Sequence, residues 1–184
     1  MADLGSGAAV RRYFFVVFPW MVVVALLVGF AVAAIWPDPE QNMLRSGIYF
    51  GLILTGIGTL VVGLVYGNKM VGPLVQPRRM GVTVGLTADE TKYVRRQVLT
   101  GKSTDLEKLP VLRGAAVQIR EGLARHLLTA PALPALLGGQ AVSHGITSAL
   151  DVVMMLLLLA LTVLWVFIAH QFRRTGSFLN STRS

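Results

Sequence analysis

Apolar positions along this chain gather into long unbroken runs rather than alternating or recurring on one helical face, which is the pattern of membrane-embedded helices. The first run, Tyr13 to Trp36, is uncharged and exceeds twenty residues. A helix of that length crosses the roughly 30 Å core of a bilayer. Trp20 and Trp36 bracket much of it as interfacial anchors do. Pro19 lies near the first turn, where a missing N–H is tolerated, and Pro37 and Pro39 stop the helix. The second run, Gly47 to Gly67, is also uncharged, and small residues recur in it at every fourth position: Gly47, Gly51, Thr55, Thr59, Gly63 and Gly67. That spacing keeps them on one slowly drifting stripe, a surface that lets another helix approach closely. The connection Pro37 to Ser46, which holds Arg45, is short and predicts an antiparallel hairpin.

Beyond Gly67 the pattern changes. Gly72, Pro73 and Pro77 interrupt the helix. Thr87-Ala88-Asp89-Glu90 matches a capping box and predicts a helix to about Leu99, with Gly101 as its stop. Pro110 suits the first turn of another helix, whose apolar side is marked by Leu112, Ala115 or Ala116, Ile119, Leu123 and Leu127. This layer is small for an independent core, so it is expected to rest on the membrane or a partner. The interval Leu127 to Leu150 carries no charge but is broken by Pro131, Pro134, Gly138 and Gly139. It fits a short broken span, a re-entrant segment or an interfacial helix; broken backbone at membrane depth needs cover, and the stripe of the second helix is the expected cover. Asp151, read as a helix cap, opens a last apolar run to about Ala169, followed by His170, Arg173 and Arg174.

Composition sharpens this picture. Of 184 residues, 54% are hydrophobic and 14% charged, against about 25% charged in a soluble domain. There is no cysteine, which removes disulfides, thiolate metal sites and cysteine nucleophiles. The net charge is +8, with eleven of the seventeen lysines and arginines between Lys69 and Arg125. The positive-inside rule places the amino terminus and that middle segment in the cytoplasm. A basic carboxyl tail on the same side requires an even number of crossings. The expectation is an all-α integral membrane helical bundle of four crossings, the third short or broken, with a small cytoplasmic helical segment; three crossings is the alternative. The divisions are a cytoplasmic tail (1–12), a transmembrane hairpin (13–67), a basic cytoplasmic segment (68–126), a broken membrane segment plus final helix (127–170) and a tail (171–184). The charged start and Ala31-Val32-Ala33 also fit a signal peptide, and Arg11-Arg12-Tyr13-Phe14-Phe15 a twin-arginine signal. The run is longer than the usual apolar core of such signals, which favours a spanning helix.

Leu86-Thr87-Ala88-Asp89-Glu90, Val94-Arg95-Arg96-Gln97-Val98, Gly101-Lys102 and Ala115-Ala116-Val117, with the Phe172-Arg173-Arg174 ending followed by Asn180, resemble small actinobacterial multi-pass membrane proteins of unknown function. In those, two helices precede a basic cytoplasmic segment of the type L-x-x-E…V-R-R-x-V and two more follow. The resemblance implies four helices and a plasma-membrane location; it supplies no catalytic residue.

Little in the chain carries chemistry. The first two runs hold no ionisable side chain, so the embedded charge typical of proton-coupled transport is missing from them. His144 and His170 flank the last run without companion ligands. Ser143 beside His144 is not a triad, because triad members meet in space around an orienting acid. Gly56 and Gly58 lie inside an apolar helix and not in a strand–loop–helix phosphate loop. No catalytic, metal-binding or cofactor-binding residue is therefore assigned. Arg78, Arg79, Lys92, Arg95 and Arg96 form the one strong charge feature, and in a membrane setting they are expected to meet anionic lipid rather than nucleic acid. The expected function is that of a non-enzymatic accessory or scaffold subunit, packing by the small-residue stripe with other membrane subunits or with itself. The alternative is a small transporter or channel component whose path is lined by the broken segment.

Overall fold

A computed structural model of the chain describes residues 4–37, 39, 41–74, 87–100, 109–144 and 149–182. Every regular element among them is a helix. The first, α1 (Leu4–Arg12), passes through a single π turn, Tyr13–Val17, into α2 (Phe18–Ile35). The next, α3 (Met43–Tyr66), continues into a second π turn, Gly67–Val71, and a 3-10 turn, Gly72–Leu74. There follow α4 (Ala88–Thr100), α5 (Leu109–Thr129), α6 (Ala132–His144) and α7 (Ala149–Ser181). Three stretches, Ser6–Ile35, Met43–Val71 and Ala149–Ser181, are long and apolar enough to cross a membrane. The chain is a helical-bundle membrane protein.

The hairpin of α2 and α3 is built on glycine. Gly29 of α2 lies against the backbone of Gly47 and Gly51, Phe30 covers Gly47, and Leu26 covers Gly51. Helices meet this closely only where no Cβ intervenes, and in lipid such packing replaces the missing hydrophobic drive. The small-residue stripe is the buried face of α3: Gly47, Gly51, Thr55, Thr59 and Gly63 are all buried, as is Gly67. Thr55 and Thr59 donate their hydroxyls to the carbonyls of Gly51 (2.8 Å) and Thr55 (2.7 Å). Their polar atoms are thus satisfied within the helix, as apolar surroundings demand. Asn42 caps α3 by accepting from the Arg45 N–H at 2.8 Å, so Arg45, expected in the connection, belongs to the helix.

The lower half of the stripe is covered by the chain's own α5 and α6. Gly63 faces the Leu128 carbonyl, Gly56 faces Leu136 and the Ala132 carbonyl, and Gly139 of α6 rests on Leu52 and Ile53. Pro131 lies in the turn between α5 and α6, and Pro134 lies in the first turn of α6. Neither removes an interior hydrogen bond, because the first helical turn has no intrahelical acceptor for its N–H groups. The apparent break is a helix–turn–helix. With 13 residues, α6 is about 20 Å long, too short to span alone. Joined to the end of α5 it travels the length of α3, from Arg125 beside Gly67 to Val142, whose carbonyl accepts from Arg45 Nε at 2.6 Å.

From the far end α7 returns. Its last turns are not a tail: Phe178 and Leu179 close a core with Val94, Val98, Leu112, Ala115 and Ala116. The basic layer thus gains its missing core wall from α7. The amino-terminal residues, expected as a tail, are helical from Leu4. Asp151 is buried in the first turn of α7 rather than at its cap, where a carboxylate complements the helix dipole. Gly7 of α1 and Gly176 of α7 flank the same side chain, that of Arg120, so the start of α1 and the end of α7 share one end of the bundle. A four-pass path, with α5 and α6 as its short third pass, would require that return to one end; three stretches are long and apolar enough to span on their own. A reporter fused after Ser184 is expected to be active only in its cytoplasmic form; activity confined to a periplasmic reporter would mean three crossings.

Candidate functional site

The capping box expected at Thr87 forms: its N–H donates to Glu90 Oε2 at 2.8 Å, and the Glu90 N–H donates to Thr87 Oγ1 at 3.4 Å. This fixes the start of α4 and hence the direction of its cations. Lys92, Arg95, Arg96 and Leu99 recur at helical three-to-four spacing and share a face. Val94 and Val98, on the other side, are buried against α5 and α7. The burial of those valines turns the basic face of α4 toward the neighbouring stretch of α7.

That stretch supplies Phe167, His170, Gln171 and Arg174, again at three-to-four spacing, and the two faces bound an open cleft of about 410 Å³. Lys92, Arg95 and Arg96 line it together with Arg174, with Phe167 exposed at its apolar edge. No acidic side chain is among the described residues that line it. Low-dielectric walls concentrate the field of such a cluster and favour an anion. Arginine guanidinium groups offer paired N–H donors matched to phosphate oxygens. The cleft lies at the basic, carboxyl-terminal end of a helix long and apolar enough to cross a membrane.

Of the residues expected to meet anionic lipid, Lys92, Arg95 and Arg96 come together here, while Arg78 and Arg79 lie outside the described residues. Two of the lining groups, His170 and Arg174, stand in the sequence only as flanks of the last run. Their spacing with Phe167 along α7 is the signal that could have joined them to α4. His170 sits among these cations, and no group of three or more metal-binding side chains occurs among the described residues. The stripe residues are buried rather than exposed: Gly47 and Gly51 meet α2, and Gly63 and Gly67 meet α5.

No protein-family model matches this chain, and no curated protein or solved structure similar to it was found.

Proposed function

We propose that the chain is a non-enzymatic accessory or scaffold subunit of a larger assembly in the plasma membrane, with its basic layer held against anionic lipid. The observation that carries this reading is the outer surface of α7. Between Val152 and Phe167 this helix keeps Met154, Leu158, Leu161 and Trp165 partly covered, while Val152, Val153, Met155, Leu156, Leu159, Val163, Leu164 and Val166 are exposed. A span held along one narrow seam leaves most of its circumference for lipid or another helix. The resemblance of the segment around Thr87 to Val117 to small actinobacterial membrane proteins adds architecture to this reading and no activity. The transporter alternative needs a path beside residues 127–144. That segment is instead seated on Gly56 and Gly63 of α3, which favours the accessory role.

The test is a photo-cross-linking amino acid placed at Leu159 or Val163 in cells. A discrete protein adduct of one size, dissolved by replacing neighbouring Leu156 with Asn, is the expected result. Adducts with lipid alone from both positions, combined with solute flux through the purified protein in liposomes, would reverse the preference.

A further inference from the structure

On the opposite side of α7 from the α4 cleft, a second opening separates α7 from α1. It is about 670 Å³ in volume and is lined by Arg11 of α1, Phe15 of the π turn that follows it, Arg120 of α5, and Trp165, Arg173 and Asn180 of α7. Arg12 joins Arg11 and Arg120 on the adjoining wall. We propose that this opening is a binding site for the headgroup of a net-anionic phospholipid, with its acyl chain lying along Phe15 toward Trp165.

The site is built by the fold rather than scattered on a surface. Arg120 reaches it by passing between α1 and α7 at the two positions where neither helix has a Cβ: one placed on Gly7 would stand 2.9 Å from its guanidinium nitrogen, and one on Gly176 2.9 Å from its Cζ. Its guanidinium then lies 4.8 Å from the centre of the Phe172 ring, a stacking that holds it in place beside the opening. Arg11 and Arg173, on the rims, come from different helices. Like charges gathered in this way repel, and an anion between them relieves the repulsion. No acidic side chain is among the described residues lining the opening.

The apolar half selects the kind of anion. Phe15 is 78% exposed, and with Trp165 it belongs to the spanning helices. Aromatic walls that run from a cluster of guanidinium groups into the hydrocarbon layer match an amphiphile rather than a soluble phosphate. The proposal rests on the membrane placement and the cytoplasmic position of the basic end, and is independent of whether α7 meets a partner.

Trp165 lines the opening and so can report on it. The chain has three tryptophans, and Trp20→Phe/Trp36→Phe leaves Trp165 alone. This full-length variant is purified in neutral detergent and titrated with phosphatidylglycerol or phosphatidylcholine carrying brominated acyl chains. Phosphatidylglycerol is expected to quench Trp165 with higher apparent affinity, and Arg11→Gln/Arg173→Gln to weaken that preference by roughly fivefold per arginine. Arg11→Lys/Arg173→Lys should retain much of the preference, and Lys92→Gln/Arg96→Gln in the α4 cleft should leave it intact. Equal quenching by the two lipids, or a preference that survives Arg11→Gln/Arg173→Gln, overturns the proposal. Displacement of the brominated phosphatidylglycerol by millimolar inorganic phosphate would assign the site to a free anion and overturn the lipid. If the α4-cleft variant alone removes the preference, the lipid contact of the proposed function stands and this second site does not.

Discussion

Gly29→Val is expected to separate the first two membrane passes. A Cβ at this position would stand 2.7 Å from the Gly47 carbonyl oxygen and 2.7 Å from the Gly51 Cα, and closer still to the Gly51 nitrogen. All three are backbone atoms of a regular helix, so no rotamer change can give way. Overpacking a core that can shift costs about 1–3 kcal/mol. Here the whole of α2 must move, so the loss should reach the upper end of that range. Retreat of α2 also uncovers Gly47 and Gly51, which Phe30 and Leu26 now cover. The check is thermal unfolding in mild detergent, followed by circular dichroism. Gly122→Ala is the control: it lies in α5, nothing approaches within 4 Å of its would-be Cβ, and the better helix propensity of alanine should leave stability unchanged or raise it by up to about 1 kcal/mol. A Gly29→Val protein as stable as the parent would contradict the close-packed hairpin.

Gly63→Leu should lift the end of α5 off α3, and α6 with it. The Cβ it introduces would fall 2.8 Å from the Leu128 carbonyl oxygen and 3.1 Å from its carbon. Leu128 is the penultimate residue of α5, just before the turn that carries the chain into α6. The same displacement must weaken the seating of Gly139 on α3, where a Cβ would stand 3.4 Å from that of Leu52. That separation is close to the usual Cβ–Cβ spacing of a disulfide, and the chain has no other cysteine. Leu52→Cys/Gly139→Cys is therefore expected to cross-link readily on mild oxidation. Adding Gly63→Leu should reduce the cross-linked fraction formed in the same time by about tenfold, the equivalent of the lower half of the overpacking range. Cross-linking at the parental rate would show that α6 is held elsewhere.

The sequence discloses the stripe on α3 but not its occupant. Four-residue spacing is visible in one dimension, whereas the surface it accepts is assembled from Gly29, Leu128, Ala132 and Leu136, drawn from three other helices. Gly29 in particular is one glycine in a long apolar run and has no periodic companion to mark it. The capping box at Thr87 and Glu90 is local, and both of its hydrogen bonds form where the spacing put them. The prolines at 131 and 134 correctly marked an interruption. Their effect depended on whether they fell inside a helix or at its start, a distinction of a few residues that the pattern alone does not resolve. The cationic cleft was half legible. Lys92, Arg95 and Arg96 stand together on one helix, but Arg174 reaches them only because Val94 and Val98 bury the other side of α4. The arginines at 11, 120 and 173 lie on three separated stretches, and no local pattern connects them.

The π turns at Tyr13–Val17 and Gly67–Val71 fall in neighbouring antiparallel helices at one depth, where Tyr13 and Tyr66 pack with ring centres 5.3 Å apart. Each such turn holds an extra residue relative to α-helical winding, so the inward-looking side of the helix changes as it passes through. Above this level α2 and α3 face each other and α6. Below it, Val10 and Tyr13 join Val71 in one core with Ala124, Leu127 and Phe172 from α5 and α7. The molecule is in effect two storeys joined by a matched pair of rotary couplings. Removing one residue from Tyr13–Val17 would restore ordinary winding and swing everything before it by about 100°. The upper storey would keep its glycine contacts, while Gly7 and Arg11 turned away from Arg120, so the hairpin and the arginine-lined end can change independently of one another.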